Sequence, residues 1–438
     1  MMASGESGLR RDIGFTGSAF LSFNGVVGAG IFALPETLYT QFGAFSPFLF
    51  PLFGLLVLIV ALPFARTASH YQVSGGPVVY AASFGQVAAF QAGWLYYIAR
   101  ATALAANANV LVAYLASYWP WLGEGFGRGT VILVALASIT AVNIVGVKSA
   151  LRLLDILTLG KAGPLVVAAL FGLVVAGASI EAPSGVPPLD EMEAAALLVL
   201  YAFIGFENSV VPAGETRDAA RNIPRALIAT LAATALLYFL IQLAYVAVMA
   251  PGEGGAAPLA AFGAKLWGPA GALLLSAAAI FSLLGNISGG ITGTSRTTYA
   301  LGRDRLLPVW FGRVHPRHAT PANSILVMGA LIAVLALTGS FVWLAVISTL
   351  ARLIVYAIGI VALPKAERPS PLWWGLIAAG LGICLWAGLQ SAWPSWRMLI
   401  ILVAAGTVLY GVARRQAASS SAETVSEIQP PPSTRSPS

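Results

Sequence analysis

The chain carries the sequence FNGVVGAGIF at residues 23–32, inside its first long apolar stretch. Gly25, Gly28 and Gly30 weaken a helix at the depth where a membrane span would otherwise be most regular. Backbone groups left unpaired in hydrocarbon are costly, so such a break persists only where it lines a cavity in the protein. The stretch therefore predicts a discontinuous first helix with a binding cavity beside it.

A second interruption is predicted in the sixth apolar stretch, where residues 204–207 have the sequence IGFE. Paired breaks in corresponding spans are typical of the substrate sites of secondary transporters. Each glycine group alone would more often serve the close packing of two helices. Two such groups in matching places favour a substrate site instead.

The composition indicates an all-α membrane protein. Charged residues make up 9% of the chain and the mean hydropathy is +0.83, whereas soluble domains carry about 25% charged residues. We predict about 12 transmembrane helices, most of them long enough to cross the hydrocarbon core. They are placed at 13–34, 43–65, 84–117, 129–147, 153–179, 193–213, 225–250, 267–299, 321–340, 342–363, 372–390 and 396–413.

Two units of five spans each are predicted, at 13–179 and 193–363, followed by two extra helices within 372–413. Because five is odd, the second unit lies inverted relative to the first, which is the inverted-repeat arrangement of many secondary transporters. Residues 1–12 are expected to form a short cytoplasmic tail. Residues 414–438 are rich in Ser and Pro and predict a disordered cytoplasmic tail.

The basic residues indicate how the chain is oriented in the membrane. The net charge is +7, and with an internal N-terminus most Lys and Arg residues of the loops fall on the inner side. Only Arg128, Lys265 and Arg397 fall in predicted outer loops, which is a positive-inside pattern. We predict a multi-pass protein of the cell inner membrane with both termini cytoplasmic. The excess charge is expected to contact anionic lipid and not nucleic acid.

A free amino acid needs one site for its carboxylate and another for its ammonium group. A half-helix that starts after a break presents free N–H groups and the positive end of its dipole, which suit a carboxylate. Unwound carbonyl groups suit an ammonium. We expect the amides of Gly28, Ala29 and Gly30 to bind the carboxylate, and carbonyl groups near Val26, Phe203 and Ile204 to bind the ammonium.

Side chains beside the two breaks are expected to determine which amino acid is bound. These side chains are Asn24, Asn107, Phe203, Phe206 and Asn286. Phe206 is a candidate thin gate that closes over the substrate, although an aromatic residue in a span serves packing at least as often.

Three separated motifs give the chain a family resemblance. The motifs are GVVGAGIF at 25–32; YAFIGFE at 201–207, followed by GET at 214–216 and NIPR at 222–225; and SR at 295–296, followed by ALGRD at 300–304 and LP at 307–308. They resemble signatures of the amino acid–polyamine–organocation (APC) superfamily of permeases. The resemblance covers roughly residues 13–363 in order. It implies the LeuT-type fold of five plus five inverted spans, and amino acid substrates, without fixing which amino acid.

Two positions depart from that family pattern. Ala29 stands where the family often has Ser, so one hydroxyl contact is missing while the backbone contacts remain possible. Asn286 aligns with a tryptophan of the family's arginine–agmatine exchangers, which argues against a large guanidinium substrate.

Lys161 lies in the fifth predicted span, where an ionisable side chain is costly and is by default a functional candidate. Proton-coupled members of the resembling family carry a lysine in this segment, where sodium-coupled relatives of the fold bind a cation. A lysine withdrawn from water also releases its proton more readily. The resemblance therefore implies proton coupling through Lys161. The alternative is that its side chain reaches back to the inner face near Asp155.

Other charged residues lie inside predicted spans or beside the second break. Glu207 is either a proton-linked gate or a hydrogen-bond strut for the unwound backbone. Arg100 stays charged when buried, so it either pairs with a carboxylate such as Glu207 or contacts an acidic substrate or a carboxylate end. Arg296 is expected in a cytoplasmic gate network, and Arg352 resembles Arg100 but is less informative.

The sequence carries no apparent catalytic, metal or cofactor motif, and His70, His315 and His318 fall at the predicted inner face without metal-ligand spacing. We therefore predict no enzymatic activity and no cofactor. The predicted function is proton-coupled uptake of an amino acid by alternating access. Exchange or export of amino acids or polyamines, and amino acid sensing without transport, stay open as alternatives. The choice between a monomer and a homodimer is also open.

Overall fold

The computed structural model describes residues 11–71, 76–177, 182–183, 185–210 and 212–428, and within these ranges the side chains of 147–160 and 417–428 are not described. Most of the predicted N-terminal tail and residues 429–438 of the predicted C-terminal tail therefore lie outside the described residues. The described part is almost entirely helical, and its single isolated β-bridge joins Ile13 to Thr216.

The described residues of the first half form seven α-helices, and the first predicted span is divided between two of them. Their bounds are α1 Phe15–Val26, α2 Ala29–Phe42, α3 Ser46–His70, α4 Pro77–Ala81, α5 Gln86–Ala116, α6 Gly125–Val145 and α7 Val147–Ala176. Helix α5 is the most enclosed of them, because nearly every side chain from Ala89 to Tyr114 is buried.

The second half of the described chain forms eight helices in the same pattern of long apolar segments. Their bounds are α8 Leu189–Phe203, α9 Ala219–Val248, α10 Pro258–Arg303, α11 Ala322–Thr338, α12 Phe341–Val361, α13 Leu363–Ala366, α14 Pro371–Leu389 and α15 Trp393–Ile428. Helix α10 is kinked, since Trp267 and Gly268 have non-helical backbone angles. It also begins and ends several residues beyond the predicted span 267–299.

Eight helical stretches of the described residues are long and apolar enough to cross a membrane, by length and composition. Two shorter apolar helices, Lys161–Ala176 and Ala322–Thr338, accompany them. Helices α1 and α8 have only 12 and 15 residues, so a length criterion leaves out the segments that stop at a break. The chain is therefore a multi-pass, all-helical membrane protein.

The first predicted break is confirmed by the backbone. Helix α1 ends at Val26, and α2 begins at Ala29. Between them, Val27 has φ −76° and ψ 87°, and Gly28 has φ −132° and ψ −144°. Neither pair of angles is helical, so the chain is unwound for one short step inside the bundle.

The second predicted break is also confirmed. Helix α8 ends at Phe203, Ile204 is extended with ψ 140°, and Gly205 has φ +117°. A 3₁₀ turn, Phe206–Ser209, follows directly. Gly205 lies in the left-handed region that only glycine enters readily, which explains why this residue type stands at the break.

The two breaks touch each other through their backbones. A Cβ atom added to Gly205 would overlap the backbone of Gly25, and one added to Gly25 would overlap the carbonyl oxygen of Gly205. A Cβ on Gly30 would lie 2.8 Å from the Cα of Ala202. Close helix packing, the alternative purpose of these glycines, is therefore present together with the breaks.

The carboxyl-terminal helix differs from the expectation of a disordered tail. Helix α15 continues from Trp393 to Ile428, so residues 414–428 are helical. This segment contains several Ala and Glu residues among its serines, and both residue types favour helix over coil. Its membrane part packs beside α5 and α12, where Leu399 joins a small cluster with Leu95 and Leu350.

Candidate functional site

A small cavity of about 20 Å³ lies between the two breaks. The first break lines it with Gly25, Val26, Gly28, Ala29 and Gly30, and the end of α8 lines it with Tyr201 and Ile204. Three helices complete the wall. Arg100, Ala103 and Asn107 come from α5, Asn286 from α10 and Arg352 from α12.

Most of the predicted substrate-binding residues are brought together in this cavity. Val26, Gly28, Ala29, Gly30, Ile204 and Asn286 all line it. The first amides of α2 have no acceptor within their own helix, and Gly30 presents one of them at the wall. A helix N-terminus of this kind stabilises negative charge, so this end of the cavity is suited to a carboxylate.

Phe203 and Phe206 are not part of the cavity lining. Phe203 is fully buried and packs against Phe50 and Tyr238. Phe206 is also fully buried, and its ring contacts Phe64 and Tyr356. The 3₁₀ turn after Gly205 directs Phe206 into this aromatic group, so its side chain does not cover the cavity in this conformation.

Three asparagines form a hydrogen-bonded chain along one side of the cavity. The amide of Ala29 donates to Asn107 Oδ1 at 3.1 Å. Asn107 Nδ2 donates to Asn286 Oδ1 at 3.1 Å, and Asn286 Nδ2 donates to the carbonyl oxygen of Asn24 at 3.0 Å. The Ala29 amide, predicted to bind a substrate carboxylate, is therefore engaged with Asn107 in this conformation.

Lys161 lies directly behind the first break. Its side chain is fully buried, and Nζ donates to Asn24 Oδ1 at 2.6 Å and to the carbonyl oxygen of Val27 at 3.0 Å. Ser282 Oγ also donates to the Val27 carbonyl, at 3.1 Å. The ammonium thus occupies a position among oxygen acceptors of the unwound segment, and it does not extend to the inner face.

Glu207 holds the backbone of the second break through hydrogen bonds. Its Oε2 atom accepts hydrogen bonds from the Gly205 amide at 3.0 Å and from the Tyr356 hydroxyl at 2.8 Å. Its Oε1 atom accepts from Arg352 Nε at 2.9 Å. Both charged side chains are buried. These contacts are those of a hydrogen-bond strut that holds the unwound backbone.

The ion pair of Glu207 differs from the predicted one. The sequence offers Arg100 as a partner for Glu207, with an acidic substrate or a carboxylate end as the alternative contact of Arg100, whereas the structure pairs Glu207 with Arg352. Arg352 and Tyr356 are separated by one helical turn on α12, so both side chains face the same neighbour. Arg352 Nη1 also donates to the Ala99 carbonyl at 3.1 Å and to Ser348 Oγ.

Arg100 is 5% exposed and lies in the cavity wall. Within the described residues, no carboxylate is within ion-pair distance of its guanidinium group. A Cβ atom added to Gly290 would lie 3.1 Å from Arg100 Nη2. The glycine therefore leaves room for the guanidinium against α10, one turn from Asn286.

Arg296 lies outside the cavity. It is exposed near the end of α10, and its Nη1 atom donates to the Thr292 carbonyl of the same helix at 3.2 Å. A separate polar cluster involves Glu367. Its carboxylate accepts from Arg66 Nε and Nη2 at 2.9 and 2.7 Å and lies 3.0 Å from His70 Nε2.

Sequence reasoning missed the central role of Arg352 and Tyr356. An arginine followed four residues later by a tyrosine in an apolar span is a usable signal, because buried arginines need acceptors and helical neighbours share a face. Among the described residues, no group of three or more His, Cys, Asp or Glu side chains is arranged to hold a metal ion.

Comparison with known proteins places these features in a wider group. A family model described as "Amino acid permease" matches residues 13–413. An uncharacterised transporter of Mycobacterium tuberculosis is 31% identical over 80% of this chain and 79% of its own length. The branched-chain amino acid permease BcaP of Bacillus subtilis is 28% identical over 93% and 94%. The serine/threonine exchanger SteT of the same bacterium is 26% identical over 73% and 75%.

Proposed function

Because the chain belongs to the amino acid permease family, we propose that it carries a free amino acid across the cytoplasmic membrane by alternating access, in uptake coupled to protons. Family membership makes it a membrane transporter of amino acids and not an enzyme. The observation that carries the proposal is the cavity between the two breaks, which is bounded by backbone at Gly28, Gly30 and Ile204.

The proposed architecture is twelve spans in two inverted units of five, with two further helices. In support, α1 with α2 and α8 with the turn at Phe206–Ser209 both begin a unit with an interrupted helix. Four long helices follow in each unit, namely α3, α5, α6 and α7 in the first and α9 to α12 in the second. Both termini are proposed to be cytoplasmic, as the distribution of basic residues favours.

The proposed substrate contacts are mainly backbone groups. The N-terminus of α2 at Gly28, Ala29 and Gly30 would receive the carboxylate. Carbonyl groups at the second break, near Phe203 and Ile204, would receive the ammonium. The Val26 carbonyl is less available, since it accepts from the Tyr238 hydroxyl at 3.2 Å. When substrate enters, Asn107 would release the Ala29 amide to the carboxylate.

Lys161 is the proposed coupling residue. In its charged form the ammonium bridges Asn24 and Val27, so it ties together the segment that forms the substrate cradle. Loss of its proton would remove one N–H donor and the positive charge from Nζ. The hydrogen bonds from Nζ to the Val27 and Asn24 oxygens would then be weaker. The stability of the unwound segment, and with it substrate affinity, would then depend on protonation.

Uptake into proteoliposomes tests this proposal. Lys161→Ala is expected to retain a folded protein and to lose the pH dependence of amino acid uptake, because the titrating donor is gone. Lys265→Ala is the matched control, since that lysine lies at the surface beside Glu253. Unchanged pH dependence in Lys161→Ala would contradict the coupling role.

A counterflow experiment distinguishes proton-coupled uptake from exchange. Exchange is the competing mode because the chain is similar to a serine/threonine exchanger. Proteoliposomes without internal amino acid are expected to accumulate substrate when an inward proton gradient is imposed, without sodium. Flux that requires substrate on the opposite side and ignores the proton gradient would establish exchange instead. Saturable binding without any flux would identify a sensor.

A further inference from the structure

Two guanidinium groups line the cavity, and within the described residues only Arg352 forms an ion pair, with Glu207. Arg100 reaches the cavity from α5 and Arg352 from α12. Glu207, the carboxylate beside them, is engaged by Arg352 Nε at 2.9 Å. The lining therefore carries one positive charge more than the protein neutralises nearby.

Neither guanidinium group has all of its donors occupied. Arg352 uses Nε and Nη1, while its Nη2 atom is buried and has no hydrogen-bond partner. Arg100 is 95% buried, as its exposed fraction is 5%, and the structure gives its guanidinium no hydrogen bond to a described residue. A buried donor without a partner, such as Arg352 Nη2, is rare in folded proteins, since it loses its water without a replacement.

An uncompensated arginine at this depth requires a functional explanation. Burying a charge without a partner is strongly unfavourable, and an ionisable side chain inside a membrane span marks a substrate or ion pathway by default. A guanidinium cannot become neutral to avoid the cost. The missing partner is therefore an anionic group that enters the cavity from outside the protein.

We propose that Arg100 and the free Nη2 atom of Arg352 form a second anion subsite, and that the transported substrate is an amino acid with an acidic side chain. This inference rests on the proposed function, in which the N-terminus of α2 receives the α-carboxylate. A planar guanidinium presents paired donors that match a carboxylate. Two anion-binding places in one cavity thus select two carboxylates in one molecule.

The position of Arg100 agrees with a side-chain subsite. Its Nη2 atom lies against Gly290, one helical turn along α10 from Asn286, which itself contacts the first break. The guanidinium therefore lies on the α10 side of the cavity. The same positive charge repels an amine-bearing side chain, so a polyamine or a basic amino acid is disfavoured.

Ligand binding to the purified full-length protein tests the subsite. Thermal shifts and competition binding are measured with glutamate, aspartate, glutamine, asparagine, succinate and putrescine. An acidic amino acid is expected to bind at least about tenfold more tightly than its amide, because a charge-assisted hydrogen bond is replaced by a neutral one. Arg100→Gln is expected to remove this preference and to leave amide binding nearly unchanged.

Arg296→Gln is the matched control, since that arginine is exposed on α10 and lies outside the cavity. The control should keep the acidic preference of the wild type. Equal affinity for glutamate and glutamine in the wild type would overturn the subsite, and so would an equal loss of both ligands in Arg100→Gln.

The outcomes also separate this inference from the proposed function. Binding and uptake of a neutral amino acid, indifferent to Arg100→Gln, would reject the subsite and leave the transporter proposal standing. Succinate binding as tightly as glutamate would retain the anion subsite and contradict recognition of an ammonium group. Absence of binding by every amino acid would reject both proposals.

Discussion

Glu207 determines whether the unwound backbone at the second break is held in place. It accepts hydrogen bonds from the Gly205 amide, Arg352 and Tyr356. A buried carboxylate with three donors and one counter-charge is close to fully satisfied. Its environment is therefore arranged for structural support of the unwound backbone.

Glu207→Gln is expected to destabilise the protein. The amide keeps the shape but leaves Arg352 buried without a counter-charge, which costs roughly 3 kcal/mol or more. The thermal unfolding temperature of the detergent-solubilised protein should fall by several degrees. Glu193→Gln on α8 should change it little, since Glu193 is half-buried and accepts one hydrogen bond from Trp386 at 3.0 Å. Equal stability of the two variants would contradict the strut role.

Sequence reasoning at the residue scale succeeded where a single position carries its own signal. Gly205 indicates a break in the helix, because glycine alone adopts a φ of +117° readily. The partner of Glu207 carries no such signal, because Arg352 lies 145 positions further along the chain. To decide whether Arg100 or Arg352 pairs with Glu207, one must know how α12 packs against the turn that follows α8. That arrangement depends on packing across the whole bundle.

The two breaks act as one element because their backbones touch. Gly25 and Gly205 approach each other so closely that neither has room for a side chain. Small residues that allow such contact are a common means of helix association in membranes. A shift of α1 must therefore be accommodated by the segment after α8.

Gly205→Ala is expected to abolish folded protein. A Cβ atom at φ +117° is strained, and it would also overlap the Gly25 backbone. The yield of monodisperse protein in size-exclusion chromatography measures the effect. Gly163→Ala is the control, since a Cβ there meets nothing within 4 Å and alanine favours the helix. A normal yield of Gly205→Ala would show that the breaks are not in contact.

Helix bounds were predictable to within a few residues where hydropathy alone decides them. Helix α5 spans 86–116 against the predicted 84–117, and α12 spans 341–361 against 342–363. The orientation of Phe206 was not predictable, because the 3₁₀ turn after Gly205 rotates it away from the cavity toward Phe64. A hydropathy pattern contains no information about that rotation.

At the scale of the whole molecule, two polar clusters lie at opposite ends of α3. Near its start, the buried carboxylate of Glu36 accepts from the amides of Gly252 and Gly254 at 2.6 and 2.9 Å, and from the Tyr245 hydroxyl. Near its end, Glu367 joins Arg66 and His70. The Glu36 cluster holds the connector before α10 by hydrogen bonds, and the Glu367 cluster holds the segment before α14.

We predict that the connector at Gly252 and Gly254 closes one side of the cavity, and that Glu36→Gln loosens this closure. An amide offers weaker acceptance to the two N–H groups and to Tyr245. In a background with Ala103→Cys as a cavity reporter, labelling by a water-soluble maleimide should become several times faster. The native Cys384 is buried and contributes little.

Glu253→Gln is the control for this closure, because Glu253 is exposed in the same connector and contacts Lys265 at the surface. Its labelling rate should equal that of the reporter background. An unchanged rate in Glu36→Gln would show that the connector does not control access to the cavity.

Glu367 makes the other cluster sensitive to acid. The hydrogen bonds from Arg66 lower the pKa of Glu367. A lowered pKa contributes stability that is present above the unfolded-state value and is lost as the pH falls through the folded-state value. The unfolding temperature of the wild type should exceed that of Glu367→Gln at neutral pH, and the two should converge in acid. Asp12→Asn, which changes an exposed surface pair, is the control and should show the same dependence of unfolding temperature on pH as the wild type. A constant difference in unfolding temperature between the wild type and Glu367→Gln at every pH would contradict the role of Glu367.

The row of asparagines from Ala29 to Lys161 has a consequence for the transport cycle. Carboxamides do not titrate in the physiological range, so this row cannot conduct a hydrogen ion. Its direction is fixed at both ends, because the Ala29 amide only donates and the Asn24 carbonyl only accepts. If Lys161 exchanges its proton with water, the ion and the solute follow separate routes. The two routes meet at the unwound segment, which Asn286 holds at Asn24 and Lys161 holds at Val27.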